Sequence, residues 1–232
     1  MSGSASGPMV LFDIDGTLVN SAGVGRRALD RAFESLYGVA SAFDGYHFSG
    51  RTDLRIVYDA FDIHFHRRPE PSEVEAVRDA YLAAMARDLA KAPETVLVLP
   101  GVCALLEELT RRRVPVGLST GNIVEGARLK LSAAGLWSYF PFGGFGCDCE
   151  DRGKLTALGI RRGREYVGRH IPGERIFVVG DSPLDVQAAH FAGANSLAVL
   201  TGWSSREELA AENPEVLLDD LSDLDAVLRV LA

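Results

Sequence analysis

Two aspartates stand two positions apart directly behind a run of four apolar residues, in Met9-Val-Leu-Phe-Asp13-Ile-Asp15-Gly-Thr-Leu18. An uninterrupted apolar run of this length suits a strand buried on both faces of a parallel sheet, and Gly16 lets the backbone turn as it leaves. Residues at i and i+2 of an extended chain point to the same side. The spacing therefore puts two like charges together at the carboxyl end of a strand, where open α/β sheets bind their ligands. Buried carboxylates so close are costly without a cation or a shared proton. A second segment repeats the theme, since Arg175-Ile-Phe-Val-Val-Gly180-Asp181-Ser-Pro-Leu-Asp185 is again an apolar run, a glycine and two carboxylates. Between them, Val114-Pro-Val-Gly-Leu-Ser119-Thr120-Gly121-Asn122 runs into hydroxyls and a glycine. As strands of one parallel sheet, the three runs bring Asp13, Asp15, Ser119, Thr120, Asp181 and Asp185 to a single edge. Carboxylates with hydroxyls and turn glycines make a hard-oxygen site suited to Mg²⁺ and phosphate oxygens, and no His/Cys cluster competes for a softer metal. A plainer reading makes Asp181 a helix N-cap with proline just inside the first turn. That accounts for Asp181 alone and leaves the matching pair at Asp13 and Asp15 unexplained.

Positioning these strand ends falls to the rest of the chain. After Leu18 the pattern is helical for about eighty residues. A helix over 22–37 carries Ala28, Leu29, Ala32, Phe33 and Leu36 on one face and stops at Gly38. An aromatic loop at 43–50 precedes a helix over 53–61, and Pro69 to Ser72 breaks the chain. A long helix then runs over 72–90, with Ser72 as N-cap and Glu75 three residues on. Leu97 to Gly101 returns to the core. Helices follow over 102–112, 123–134, 155–170, 186–192 and 221–231, with short strands at 140–145, 195–200 and 216–218. Strand and helix in alternation with short connections predict an α/β, doubly wound parallel sheet. The helical stretch joins the sheet at both ends. It thus reads as an inserted all-helical cap domain (20–96) on a Rossmann-like core formed by 9–19 and 97–232. The Gly/Ser-rich residues 1–8 read as a disordered tail, lacking the apolar stretch of a signal peptide.

Composition narrows the function classes. In 232 residues, 47% hydrophobic and 24% charged, there is ample material for the core of a soluble globular protein. A net charge of −8 argues against a non-specific nucleic-acid binder. The arginine runs Arg111–Arg113 and Arg161–Arg164 are expected on solvated helix ends. No apolar stretch is long enough to span a bilayer, so no membrane partner is expected. The three cysteines, Cys103, Cys147 and Cys149, form no even disulfide framework and no zinc spacing, which predicts reduced thiols and a cytoplasmic protein. Monomer and homodimer both remain open.

The motifs resemble those of the haloacid dehalogenase superfamily, from Met9 to about Gly202. Asp13-x-Asp15-Gly16-Thr17-Leu18 is similar to its first motif, Thr120 behind an apolar strand to its second, and Gly180-Asp181-x-x-x-Asp185 to its fourth. The helices between the first two motifs lie where members with a helical cap carry it. The resemblance implies a Mg²⁺-dependent phosphotransferase in which Asp13 attacks phosphorus and forms an aspartyl-phosphate. A cation must offset the repulsion between the two anions. It further implies that Asp13, the Asp15 backbone carbonyl and Asp181 hold the metal, with Asp185 ligating or orienting. Asp15 would protonate the leaving oxygen and then deprotonate water. Thr120, with Gly121 and adjacent backbone N–H groups, would hold the phosphoryl oxygens.

The family's third motif, a basic residue, has three candidates, because the chain holds only three lysines and lacks the usual Lys-Pro pair. Arg152 is first by position, Lys154 second and Lys130 third, the last expected to be an exposed helix charge. In the cap, Arg51 and Thr52 of Gly50-Arg-Thr-Asp53 sit where family members present specificity residues. Arg51 either meets a substrate anion or pairs with a surface carboxylate. His47 is a weaker candidate, His64 and His66 are expected at the surface, and Asn122 either faces the pocket or caps a helix. The implied activity is hydrolysis of a small phosphorylated metabolite, phosphoglycolate-like or a sugar phosphate. The second aspartate argues against a dehalogenase, and the absence of lysine between Leu18 and Lys91 against a phosphonate hydrolase. A phosphosugar mutase of the β-phosphoglucomutase type is harder to exclude and stands as the alternative enzyme, although Ser21 to Arg31 contains no histidine to shuttle protons. A non-catalytic phosphometabolite-binding protein is the alternative outside enzymology.

Overall fold

The computed structural model describes residues 7–231; of the expected tail, residues 1–6 lie outside that range. The apolar run after Pro8 forms β1 (Met9–Phe12), buried throughout, as the continuous run predicts for a central strand. Five more strands join it in one parallel sheet: β4 (Val116–Ser119), β5 (Gly143–Gly144), β6 (Ile176–Gly180), β7 (Asn195–Val199) and β8 (Val216–Leu218). Their order is β5-β4-β1-β6-β7-β8, so the chain steps from β1 to one side and later returns to fill the other. The carboxyl end of β1 thus lies at the point where the strand order reverses, where the crevice of a doubly wound sheet opens. Register levels the site residues, since Phe12 pairs with both Leu118 and Val179. Asp13, Ser119 and Gly180 come one step beyond those pairs, and Thr120 and Asp181 one further.

Three helices occupy the stretch between β2 (Val19–Asn20) and β3 (Leu97–Val98): α1 (Val24–Tyr37), α2 (Asp53–Phe65) and α3 (Pro71–Lys91). They pack together around an aromatic cluster in which Phe33 meets Phe43 at 5.3 Å and Phe61 at 5.8 Å between ring centroids. One continuous apolar core joins them to the sheet. Leu97 to Gly101 differs from expectation. Leu97 is exposed, and Leu97–Val98 pairs antiparallel with Val19–Asn20, so a two-stranded ribbon carries the chain out to the helices and back.

The remaining helices are α4 (Val102–Arg111), α5 (Val124–Ala133), α6 (Arg152–Val167), α7 (Pro183–Phe191), α8 (Arg206–Ala211) and α9 (Leu224–Val230). Several boundaries shift for capping reasons. α3 begins at Pro71 with a capping box of Glu70 and Glu73, ahead of the expected Ser72 and Glu75, because proline at the first helical position lacks only an N–H that would have no partner. α2 runs on to Phe65, whose ring packs on Tyr37 at 5.4 Å. α7 is capped by Ser182, which accepts from Asp185 N while Asp185 accepts from Ser182 N, so the N-cap reading of Asp181 is corrected. α6 starts three residues before the expected Leu155, with Asp151 as its N-cap. The strand expected at 140–145 shortens to Gly143–Gly144, and β2 and α8 were not expected. Arg111–Arg113 are exposed at the end of α4, whereas Arg162 lies within α6 and pairs with Asp148 at 2.6 Å.

The start of α6 lies hard against β5. A Cβ on Gly144 would meet the Leu155 carbonyl oxygen at 1.9 Å, a contact with backbone that no rotamer change relieves. Gly144 also accepts Thr120 N at 3.1 Å, so one glycine sets both the strand after β4 and the helix that begins with Arg152. Gly144→Ala is expected to lower the melting temperature by about 5 °C, in line with overpacking costs of about 1–3 kcal/mol. Thermal unfolding by circular dichroism checks it, and an unchanged midpoint would show that α6 moves away without cost.

Candidate active site

The level strand ends bring Asp13, Asp181 and Asp185 together, each buried, with one oxygen from each lying within 4.8 Å of the others. Asp13 follows β1 and its N–H donates to Val179 O at 2.9 Å, which ties the carboxylate to the neighbouring strand. Asp181 follows β6, receives Thr17 Oγ1 at 3.2 Å, and is walled by Gly202, where a Cβ would come 1.7 Å from Asp181 Oδ2. Asp185 lies in the first turn of α7, its Oδ2 taken by Ser182 and its Oδ1 receiving Arg152 Nη2 at 2.5 Å. The same Nη2 lies 2.9 Å from Asp13 Oδ1, an ion pair without the alignment of a hydrogen bond. Asp13 Oδ1 is therefore a buried carboxylate oxygen that no donor satisfies.

Burial pushes the Asp13 carboxyl up; Arg152 opposes, Asp185 and Asp15 add to it, and the pKa rises from 3.8 to about 6. Asp181 is raised well above the ordinary range, chiefly by burial and then by its two carboxylate neighbours. For Arg152, burial pulls downward, but Asp13 and Asp185 outweigh it and the guanidinium stays charged. A set of hard oxygens under mutual repulsion, one of them without a donor, fits a divalent cation such as Mg²⁺.

Asp15 stands apart from this trio. Its Oδ2 receives Lys130 Nζ at 2.5 Å and Asn122 Nδ2 at 3.0 Å, and its Oδ1 receives Ser21 Oγ at 2.6 Å. Burial raises its pKa, but Lys130, Ser21 and Asn122 more than offset this and the net shift is downward. Lys130 corrects the expectation of an exposed helix charge, for it is buried on α5 beside Ala127 and Leu131. Its place three residues after Ala127 and one before Leu131 was a usable signal, because those positions share the apolar face. Asn122 faces the site and donates also to Thr120 Oγ1 at 2.9 Å. Thr120 itself is buried at the end of β4.

A cavity of about 580 Å³ opens over these groups, lined by Asp13, Asp15, Lys130, Arg152 and Asp181 below and by Arg51, Tyr46 and Tyr81 above. Gly121, Asn122 and His47 line it too, as does Trp203, which no sequence pattern singled out. Arg51 lines the cavity while pairing with Asp59 at 3.1 Å and covering the Tyr46 ring. Thr52 is not in the lining. Its hydroxyl caps α2 and donates to Glu150 O at 3.1 Å, so its role is to dock α2 on the core. Lys154 is exposed and outside the lining, so a phosphate-binding place for it is corrected; Arg152, two residues earlier and at the first position of α6, is the one buried. His64 bonds Ala42 O at 2.7 Å and His66 is exposed, away from the cavity.

The sequence profile of the haloacid dehalogenase-like hydrolases matches residues 9–193. A probable phosphatase IndB from Dickeya dadantii is 28% identical over 232 aligned positions, covering 97% of this chain and 94% of that protein. A phosphoglycolate phosphatase from Synechococcus elongatus is 27% identical, covering 93% and 94%. Among solved structures, a hydrolase from Pseudomonas syringae superimposes with a TM-score of 0.74 at 20% identity, covering 97% of this chain and 99% of that one, a likeness of fold.

The raised Asp13 pKa carries a stability cost. Between pH 3.8 and about 6 the folded chain keeps a proton that the unfolded chain has released, so the metal-free protein loses stability as pH rises through that window. Asp13→Asn removes the charge and its cost. In chelator at pH 7 this variant is expected to melt several degrees above wild type, with the gap closing at pH 4 and on adding Mg²⁺. Differential scanning calorimetry checks it, and a variant no more stable at pH 7 contradicts the account.

Proposed function

Because this chain belongs to the haloacid dehalogenase-like hydrolase family, we propose that it is a Mg²⁺-dependent phosphatase hydrolysing a small phosphomonoester, phosphoglycolate-like or a sugar phosphate. The observation that carries this reading is the buried set of Asp13, Asp181 and Asp185, within 4.8 Å of one another and faced by Arg152, with Asp13, Asp181 and Arg152 lining the cavity. The names of the phosphatase relatives agree with it. A donorless carboxylate oxygen beside a buried guanidinium suits a nucleophile waiting for phosphorus.

In this reading an Asp13 oxygen attacks phosphorus, forming the aspartyl-phosphate O–P bond as the ester P–O bond breaks. Asp15 gives a proton to the departing oxygen. It then takes a proton from the water that attacks the aspartyl-phosphate, which releases phosphate and restores Asp13. Arg152 offers a planar donor fork to the phosphoryl oxygens, and Thr120 and the Gly121 backbone hold them from the other side. Asp13, Asp181 and Asp185, with the Asp15 backbone carbonyl, would hold Mg²⁺, whose charge offsets the repulsion between carboxylate and phosphate. The helices of residues 20–96 act as a cap over the core of 9–19 and 97–232, and Arg51 meets the substrate's second anionic or hydroxyl group. The free cysteines agree with a reducing, cytoplasmic setting.

The expected outcome is phosphate release from p-nitrophenyl phosphate and from a panel of metabolite phosphates in Mg²⁺. Activity should vanish in chelator and fall at least about a thousandfold in Asp13→Asn, as loss of a nucleophile does elsewhere. Release that survives both treatments would refute the assignment of Asp13, and Mg²⁺-independent release would refute the metal.

A further inference from the structure

Lys130 is a buried cation with no part in the phosphatase steps above. Only 4% of it is exposed, and its ammonium bonds Asp15 Oδ2 at 2.5 Å and Asn122 Oδ1 at 2.7 Å. Asn122 closes a ring by donating to the same Asp15 oxygen, while Ser21 holds the other. Three side chains from two chain segments thus fix one carboxylate. Space for the ammonium is provided by α1, where a Cβ on Gly25 would come 3.4 Å from Lys130 Nζ and 3.7 Å from the Tyr81 hydroxyl. A buried lysine is costly to keep unless its charge is answered, and here the answering groups are Asp15 and the Asn122 carbonyl. Two buried cations of the site thus have separate carboxylates: Arg152 joins Asp13 to Asp185, and Lys130 serves Asp15.

We propose that Lys130 is a positioning residue, holding the Asp15 carboxylate in the one orientation from which it exchanges protons with the leaving oxygen and the attacking water. The inference rests on the phosphatase reading and goes beyond it. With the ammonium gone, Asp15 keeps only Ser21 and Asn122, one partner on each oxygen, and the carboxylate is free to turn. Proton delivery then fails where it is most needed. An acidic phenol leaves without a proton, whereas an alkoxide does not, and a positioned acid contributes about 10²–10⁴ to such a step.

The test compares wild type with Lys130→Met on p-nitrophenyl phosphate and on an alkyl phosphomonoester from the metabolite panel, in saturating Mg²⁺. The quantity read is kcat/KM, which reports only the steps up to formation of the aspartyl-phosphate. The expected result is a loss of about 100-fold for the alkyl ester and under about fivefold for the aryl ester. Impaired deprotonation of water should also make the variant release a burst of nitrophenolate before a slower steady state. Lys130→Gln, which keeps an N–H toward Asp15 and no charge, is measured in parallel, so that a methionine variant unable to fold leaves the comparison intact; the same discrimination, smaller in size, is expected. Equal losses on the two esters, or no loss on either, would overturn the role of Lys130 while leaving the phosphatase reading in place. A wild-type protein that releases phosphate from neither ester would refute that reading, and this inference with it.

Discussion

The repulsion among three buried carboxylates at one end of the sheet is the constraint around which this structure is built. Asp13, Asp181 and Asp185 would move apart if they were free to do so. They are not, because each is anchored by an interaction of its own backbone or by a tight glycine wall: Asp13 by the β1–β6 ladder, Asp181 by Gly202, Asp185 by the capping box of α7. Arg152 relieves part of the repulsion without removing it, and the carboxyls of Asp13 and Asp181 stay raised, first by burial and then by their carboxylate neighbours. A site strained in this way is stabilised by whatever brings positive charge into it.

The two aspartates of the first motif are pushed in opposite directions. Asp13 is raised by burial among carboxylates, and Asp15, two residues away, is lowered by Lys130, Ser21 and Asn122 despite its own burial. The separation arises from the partners each side chain meets, Arg152 for Asp13 and Lys130, Asn122 and Ser21 for Asp15. The same sequence spacing that looks like a pair is, in three dimensions, a division.

The inserted helices are joined to the site by direct backbone contacts. Asp53 N donates to Gly121 O at 2.7 Å, Arg152 Nη1 donates to Gly50 O at 2.8 Å, and Thr52 donates to Glu150 O. Arg152 consequently touches the nucleophile candidate and the loop before α2 at once, so the position of the helices and the charge balance around Asp13 depend on each other. Asp53, half-buried and with its pKa raised to about 6 chiefly by desolvation, accepts Ile123 N at 2.9 Å in the same seam.

Much of this was legible in the sequence because it is local. The four-residue run before Asp13 reads as a buried strand, three such runs ending in polar residues reach one edge when they share a parallel sheet, and Asp13, Thr120, Asp181 and Asp185 fall together in that placement. Capping boundaries were misjudged where two patterns overlapped, as at Glu70–Glu75, since a proline decides which carboxylate reaches back. What the tertiary structure alone decided is which charges meet. Lys130 and Lys154 have the same side chain and each lies on a helix near a motif, yet one is buried against Asp15 and the other is exposed. Spacing along a chain determines which face of an element a residue occupies. The partner waiting on that face comes from a segment more than a hundred residues away, as Asp15 does for Lys130, and only the tertiary fold, with α5 packed against α3, brings the two within hydrogen-bond distance.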